Sequence, residues 1–180
     1  IDRVKKARKH MEDMCQLTER LTEHKYHGSH EQIGKTISKY SQNPGLDLVN
    51  FYELVLFSFL IGNADMHLKN FSLLADPDLG YTLAPAYDLV STALVLPSDT
   101  EDLALNLNGK KKKLRLSDFM KAMTSNNIPE KAQRNIVDKM EAAVPQMVKF
   151  IDNGFLPETM KEIPGLAKEY PRVMFVQIGS

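Results

Sequence analysis

The run Asp47-Leu-Val-Asn-Phe-Tyr-Glu-Leu-Val-Leu-Phe-Ser-Phe-Leu-Ile61, followed at once by Gly62-Asn63-Ala64-Asp65-Met66-His67-Leu68-Lys69-Asn70, sets the reading of this chain. The first part predicts a helix from Leu48 to about Ile61, with Asp47 as its N-cap and Gly62 as its stop. It is apolar nearly all round, as expected of a helix at the centre of a core. Asn50, Glu53 and Ser58 interrupt it, and the thirteen residues from Val49 to Ile61 fall short of the roughly 20 needed to cross a bilayer. The second part is polar and is held between buried elements, which is where a scaffold places reactive groups.

Downstream, Phe71-Ser-Leu-Leu74 and Tyr81-Thr-Leu83 flank Asp76-Pro-Asp-Leu-Gly80 and predict a short β-hairpin. Ala84-Pro-Ala-Tyr-Asp88 follows it. Leu103 to Leu107 alternates apolar and polar residues and reads as a half-buried strand, turned by Asn108-Gly109 into a returning strand, Lys110 to Leu116. Ser117 is expected to cap a helix to about Thr124. Pro129 opens a long helix to Asn153-Gly154, in which Pro145 should produce a kink or break. Leu156-Pro157 would open a last, weaker helix. Upstream, Arg3 to His10 is basic and reads as solvated strand or loop. Met11, Met14, Cys15, Leu17 and Leu21 have helical spacing, and His24 to Gly28 reads as loop. Ser29 and Gln32 form a capping-box pattern for a helix over His30 to Ser41, stopped by Asn43-Pro44-Gly45. The expected fold class is mainly α (α+β), with one or two short β-hairpins around a central apolar helix.

Composition narrows the function classes. The 180 residues hold 23 Lys plus Arg and 23 Asp plus Glu, so the net charge is zero. A whole-chain electrostatic grip on nucleic acid or anionic membrane is not supported. The single cysteine, Cys15, excludes an intramolecular disulfide and any multi-cysteine zinc site, and it reads as a buried thiol. The nine methionines read as packing. Lys110 to Arg115 carries five cations in six positions. It reads as a lysine-guarded hairpin edge, with a docking patch for an acidic partner or nucleic acid as the alternative.

The chemistry lies in the polar stretch. Asp65 and Asn70 are five residues apart, the Asp-x-x-x-x-Asn spacing of a kinase catalytic loop. There the Asp takes the proton of the acceptor hydroxyl, and the Asn turns its amide oxygen to Mg²⁺. A second carboxylate has to hold that hard cation from the other side. Asp88, just past the hairpin in Tyr87-Asp88-Leu89, stands where it is needed. With twelve Asp and ten Asn in the chain, about 0.7 such pairs arise by chance, so the spacing alone has no weight. The order of buried helix, loop with Asp and Asn, hairpin, then Asp is far more specific. The usual His-Arg-Asp and Asp-Phe-Gly triplets are absent.

Gly62-Asn63-x-Asp65-x-His67-x-Lys69-Asn70-Phe71-Ser72, followed by Leu83-Ala-Pro-Ala-Tyr-Asp88-Leu-Val-Ser, resembles the HipA family of serine/threonine kinases, the toxin halves of bacterial toxin–antitoxin modules. His10 to Gln16 and Lys25-Tyr26 resemble the helix and loop after that family's hinge, and Ile1-Asp2-Arg3 the end of the hinge. The resemblance covers residue 1 to about Leu156. It implies a protein-kinase-like C-terminal lobe using ATP and Mg²⁺, with Asp65 as catalytic base and Asn70 and Asp88 as metal ligands. His67 and Lys69 would face the nucleotide phosphates, and Asp2 would reach the ATP ribose. It further implies a cytoplasmic protein with a protein substrate and an antitoxin partner, meeting nucleic acid only through that antitoxin, and no membrane. The chain starts without Met and without a phosphate loop or strand lysine. It is therefore expected to be a single C-terminal lobe, residues 1–180, of a longer protein, inactive by itself.

Two other readings remain open at this level. One is a degenerate lobe that binds a partner without catalysis, although such a copy would be free to lose Asp65, Asn70 and Asp88. The other is a small-molecule or lipid kinase of related fold. A zinc or iron site made of Asp65, His67 and Asp88 has only one imidazole to offer.

Overall fold

Helix α3, Pro44–Leu60, is the element around which the rest is arranged. The computed structural model describes residues 3–4, 7–78, 80–96, 100–155 and 157, so Asp2 and the helix expected after Leu156 lie outside the described residues. The other elements are strands β1 (Arg3–Val4), β2 (Ala7–Arg8), β3 (Met11–Asp13), β4 (Ser72–Asp76) and β5 (Gly80–Leu83) and helices α1 (Met14–Leu17), α2 (His30–Tyr40), α4 (Thr92–Val95), α5 (Leu116–Ser125) and α6 (Glu130–Asp152). β1 and β2 form a small antiparallel hairpin. β3, β4 and β5 form an antiparallel sheet in that order. The expected mainly helical fold with short hairpins is the fold observed.

Helix α3 begins earlier than expected. Asn43 is its N-cap and Pro44 its first residue, a position that suits proline because no N–H is needed there. Asp47 is thus not a cap. Its buried carboxylate accepts the Ser41 hydroxyl at 2.6 Å and the Leu83 N–H at 2.8 Å, tying the helix start to β5. Phe51, Tyr52, Val55, Leu56, Phe59 and Leu60 are buried. Each such side chain stabilises the fold by about 1.5–3 kcal/mol relative to exposure. Helices α2 and α6 and strand β5 all pack against α3, in keeping with its largely apolar sequence.

Four other expectations are corrected. The helix expected from Met11 is strand β3 followed by the short α1, because Met11, Glu12 and Asp13 pair with Leu74, Leu73 and Ser72. Asp13 then caps α1, accepting the Gln16 N–H at 3.0 Å while the Gln16 side chain accepts the Asp13 N–H at 2.9 Å. The strand pair expected over 103–116 is irregular backbone. Asn108 and Gly109 do make the tight turn, with φ of +49° and +75°, and Leu107 bridges Lys110. However, the main chain of Asn106 pairs instead with Gly28 and His30. Leu103, Ala104, Leu105 and Leu107 are all buried, so the segment is not half-exposed. Helix α5 starts at Leu116, and the side chain that serves its start is Asp118, which accepts the Arg115 N–H at 3.0 Å, not Ser117. Helix α6 continues through Pro145 without a break.

The basic run has no strand edge to guard. Lys110 is paired with Asp118 at 2.9 Å and Lys111 with Glu101 at 3.5 Å, and Lys112 donates to the Thr100 hydroxyl at 2.6 Å. Cys15 is buried and free, and burial pushes its thiol up from its usual range. Among the described residues, no helix is long and apolar enough to cross a membrane.

Candidate active site

Helix α3 delivers the loop in a fixed direction. Gly62 takes φ of +66°, its N–H reaches the Phe59 carbonyl, and the Asn63 N–H reaches the Ser58 carbonyl at 2.8 Å. This is a Schellman ending, which favours glycine at the left-handed position. The side chain of Thr92 fastens the loop from the other side, accepting the Ala64 N–H at 2.8 Å and donating to the Gly62 carbonyl at 3.1 Å. Asn63 is buried, and its Oδ1 accepts the Asp65 N–H at 3.1 Å. Its Nδ2 is buried without a partner among the described residues. Such an orphaned buried donor is costly and uncommon in a native fold.

Asp65 is partly exposed on this loop, and its Oδ1 accepts the Tyr26 hydroxyl at 2.7 Å. That bond, with burial and the carboxylate's charge adding to it, pushes the phenol up to about 12. The loop then makes a short 3-10 turn over Leu68–Asn70. Asn70 is buried. Its Oδ1 accepts the His67 N–H at 3.2 Å, and its Nδ2 donates to Asp88 Oδ2 at 2.5 Å. The hairpin β4–β5 lies between them in the chain. Tyr87 secures its exit by donating to the Lys69 carbonyl at 2.7 Å while meeting the Ser72 hydroxyl at 2.5 Å. Asp88 is exposed and sits at φ +55°. That left-handed conformation is unusual for a residue with a Cβ, although Asp tolerates it better than most.

The structure therefore brings Asn70 and Asp88 into contact and places Asp65 on the same loop. His67 feels the charge of both Asp65 and Asp88. Its ring is only 7% exposed and meets Tyr26 edge to face at 5.1 Å. Burial first, then the Lys25 charge, lowers its basicity against the opposing pull of Asp65 and Asp88. Its Nδ1 is also buried without a partner among the described residues. Lys69 extends from the same turn to an ion pair with Asp13 at 3.0 Å. Asp2 lies outside the described residues. Among the described residues, no three His, Cys, Asp or Glu side chains gather as a metal-holding group, so Asp65, His67 and Asp88 do not form a zinc or iron site. Asp88 and Asn70 carry the carboxylate and amide oxygens that suit a Mg²⁺ ion keeping several waters, and the Asn70 oxygen would reach such an ion only by giving up its present bond to the His67 N–H while its nitrogen leaves Asp88.

Tyr26, Asn63, Tyr87 and Thr92 received no role from the sequence. Asn63 and Tyr87 stood inside the quoted motifs, and Tyr26 beside Lys25 in a resembling loop. Their roles depend on contacts across 15 to 39 residues or on an unpaired atom, and no local pattern records these.

The fold is that of a kinase-like C-terminal lobe. A sequence model of the HipA-like C-terminal domain matches residues 1–148, and the chain belongs to that family. Two curated relatives come from Sinorhizobium fredii. "Putative kinase Y4dM" is 37% identical over 117 residues, covering 64% of this chain and 28% of the relative. "Putative kinase Y4mE" is 29% identical over 175 residues, covering 88% and 41%. In the solved complex of the Shewanella oneidensis toxin–antitoxin proteins HipA and HipB with operator DNA, one chain matches with a TM-score of 0.72 at 22% identity. The match covers 87% of this chain and 40% of that one, and it establishes the shared fold. The chain thus spans well under half the length of these relatives.

Proposed function

We propose that the protein carrying this chain is an ATP- and Mg²⁺-dependent kinase that phosphorylates a serine or threonine hydroxyl of a protein, with Asp65 as the catalytic base. The observation that carries the reading is the contact of Asn70 with Asp88 across the hairpin, with Asp65 five residues earlier on the same pinned loop. In the reaction Asp65 accepts the proton of the acceptor hydroxyl. The acceptor oxygen bonds to the γ-phosphorus as the bond to the β,γ-bridging oxygen breaks, and ADP leaves with that electron pair. Asn63 holds the Asp65 backbone during proton transfer. Asn70 and Asp88 would hold Mg²⁺, which neutralises charge on the transferring phosphoryl group when bound. His67 and Lys69 belong to the phosphate side of the site. Lys69 supplies positive charge while Asp13 fixes its direction, and His67 supplies a neutral ring with an unused nitrogen. Family membership and the fold shared with a HipA–HipB complex support an antitoxin-like protein partner, with DNA reached through that partner.

The test uses the full-length protein with γ-labelled ATP, Mg²⁺ and casein as acceptor, followed by phosphoamino-acid analysis. Phosphoserine or phosphothreonine that disappears in Asp65→Asn and Asp88→Asn is the expected result. Transfer that survives both substitutions overturns the assignment. Transfer to lipid or small molecules alone moves the protein to another kinase class.

A further inference from the structure

The phosphotransfer reading leaves the Tyr26 phenol unexplained. Its hydroxyl donates to Asp65 Oδ1 at 2.7 Å, within the normal range for O–H···O bonds. This is the contact that an acceptor hydroxyl has to make before it loses its proton. The ring stands edge-on against His67 at 5.1 Å while its hydroxyl occupies Asp65 Oδ1. The backbone beneath is fixed, because the Leu68 N–H donates to the Lys25 carbonyl at 3.0 Å and the Asn106 N–H to the Gly28 carbonyl at 3.2 Å. The side chain is 39% exposed. It can therefore turn toward solvent while its main chain stays in place.

We propose that Tyr26 is a built-in competitor for the acceptor: its hydroxyl occupies the place on Asp65 that the hydroxyl to be phosphorylated takes, and an acceptor has to displace it. The inference rests on Asp65 being the base. A protein acceptor brings binding energy from parts remote from its hydroxyl and can meet the cost of displacement. Water brings none. Tyr26 thereby suppresses ATP hydrolysis more than it suppresses transfer to protein. Once Tyr26 has moved, the acceptor proton passes to Asp65, the acceptor oxygen bonds to the γ-phosphorus, and ADP departs with the electrons of the broken bond.

The test compares full-length wild type, Tyr26→Phe and Asp65→Asn in ATP hydrolysis without acceptor and in transfer to casein. Tyr26→Phe keeps the ring against His67 and removes only the hydroxyl. It is expected to raise hydrolysis about tenfold, the factor equivalent to about 1.4 kcal/mol. It should also lower the KM for casein at unchanged kcat, and Asp65→Asn should lose both activities. Unchanged or slower hydrolysis in Tyr26→Phe overturns the inference. A fall in kcat at unchanged KM also overturns it, since the phenol would then be orienting Asp65. Phosphate found on Tyr26 of the wild type by mass spectrometry would make Tyr26 an acceptor and likewise overturn it. Wild-type transfer with an unresponsive Tyr26→Phe rejects this inference alone, whereas a wild type with neither activity rejects the kinase reading and this inference with it.

Discussion

Asn70 donates its side-chain amide to Asp88 Oδ2 at 2.5 Å, joining a buried residue at the end of the loop to an exposed one beyond the hairpin. The Asn70 oxygen meanwhile faces the His67 N–H at 3.2 Å. One amide therefore fixes the turn and the carboxylate together. Loss of the Asn70 side chain removes both bonds, while loss of Asp88 removes one bond and the charge.

Magnesium should separate the roles of these residues. In the full-length protein, Asn70→Ala should lose most phosphotransfer at ordinary Mg²⁺ and recover part of it as Mg²⁺ is raised, because a weakened metal site is refilled by mass action. Asp65→Ala should not recover, since more metal does not replace a base. Titrating Mg²⁺ against transfer rate in both variants decides this. Equal recovery of the two would make Asp65 a metal ligand.

The backbone of Asp88 yields a stability prediction separate from its chemistry. At φ +55° a β-branched residue is strained, and such conformations cost on the order of 1–3 kcal/mol. Asp88→Val should therefore lower the urea midpoint of the full-length protein more than Asp88→Gly, which loses the same bond to buried Asn70 without the strain, whereas Asp88→Asn should leave it nearly unchanged. Similar midpoints for Val and Gly would show that the positive φ relaxes at no cost.

The central helix and the loop–hairpin–Asp order were legible because their signals are local: an apolar run, a glycine stop, and turn residues at fixed offsets. What was not legible depends on distant partners. Met11 and Met14 have helical spacing, yet β4 draws Met11 to Asp13 into a strand. Asn108-Gly109 marks its turn correctly, but the main chain of Asn106 is claimed by Gly28 and His30, so no strand pair grows from that turn. The five cations after it read as a lysine-guarded hairpin edge. In the structure Lys110, Lys111 and Lys112 each have an internal partner. Within the site, the order of residues foreshadowed the Asn70–Asp88 contact, while Tyr26 on Asp65 required the fold.

Acid should destabilise the domain through His30. The ring is fully buried, with Nδ1 3.1 Å from the Asn106 carbonyl and Nε2 without a partner among the described residues. Burial lowers its pKa to about 4, although the Asn106 carbonyl and Glu31 pull the other way. The unfolded value is about 6.5, so between these values the unfolded chain binds the extra proton. The stabilisation is complete above about pH 6.5 and is lost as pH falls toward 4. The loss amounts to about 3 kcal/mol at its limit, and His67, also lowered, acts in the same direction. Urea unfolding of the full-length protein at pH 7.5, 6 and 5 should show this slope, and His30→Gln should flatten it. A slope unchanged by His30→Gln would place the sensitivity elsewhere.

Gly34 and Gly45 should respond oppositely to alanine. Both lie in helices, where Ala is ordinarily favoured over Gly by about 0.5–1 kcal/mol. A Cβ on Gly45 meets nothing within 4 Å, so Gly45→Ala should be neutral or slightly stabilising. A Cβ on Gly34 would come within 2.1 Å of Asn126 Oδ1 and 2.6 Å of its Cγ. Asn126 is buried and has little freedom to retreat, because its Oδ1 meets the Tyr52 hydroxyl at 2.5 Å and its Nδ2 donates to the Glu31 carbonyl at 3.1 Å. Displacing it strands buried polar groups at about 1–3 kcal/mol, and overpacking adds a cost of similar size. These costs exceed the helix-propensity gain, so Gly34→Ala should destabilise the protein by about 2 kcal/mol or more. Urea midpoints of the two full-length variants, measured against wild type, check the pair. A Gly34→Ala protein as stable as Gly45→Ala would mean that the Tyr52–Asn126–Glu31 contacts rearrange freely.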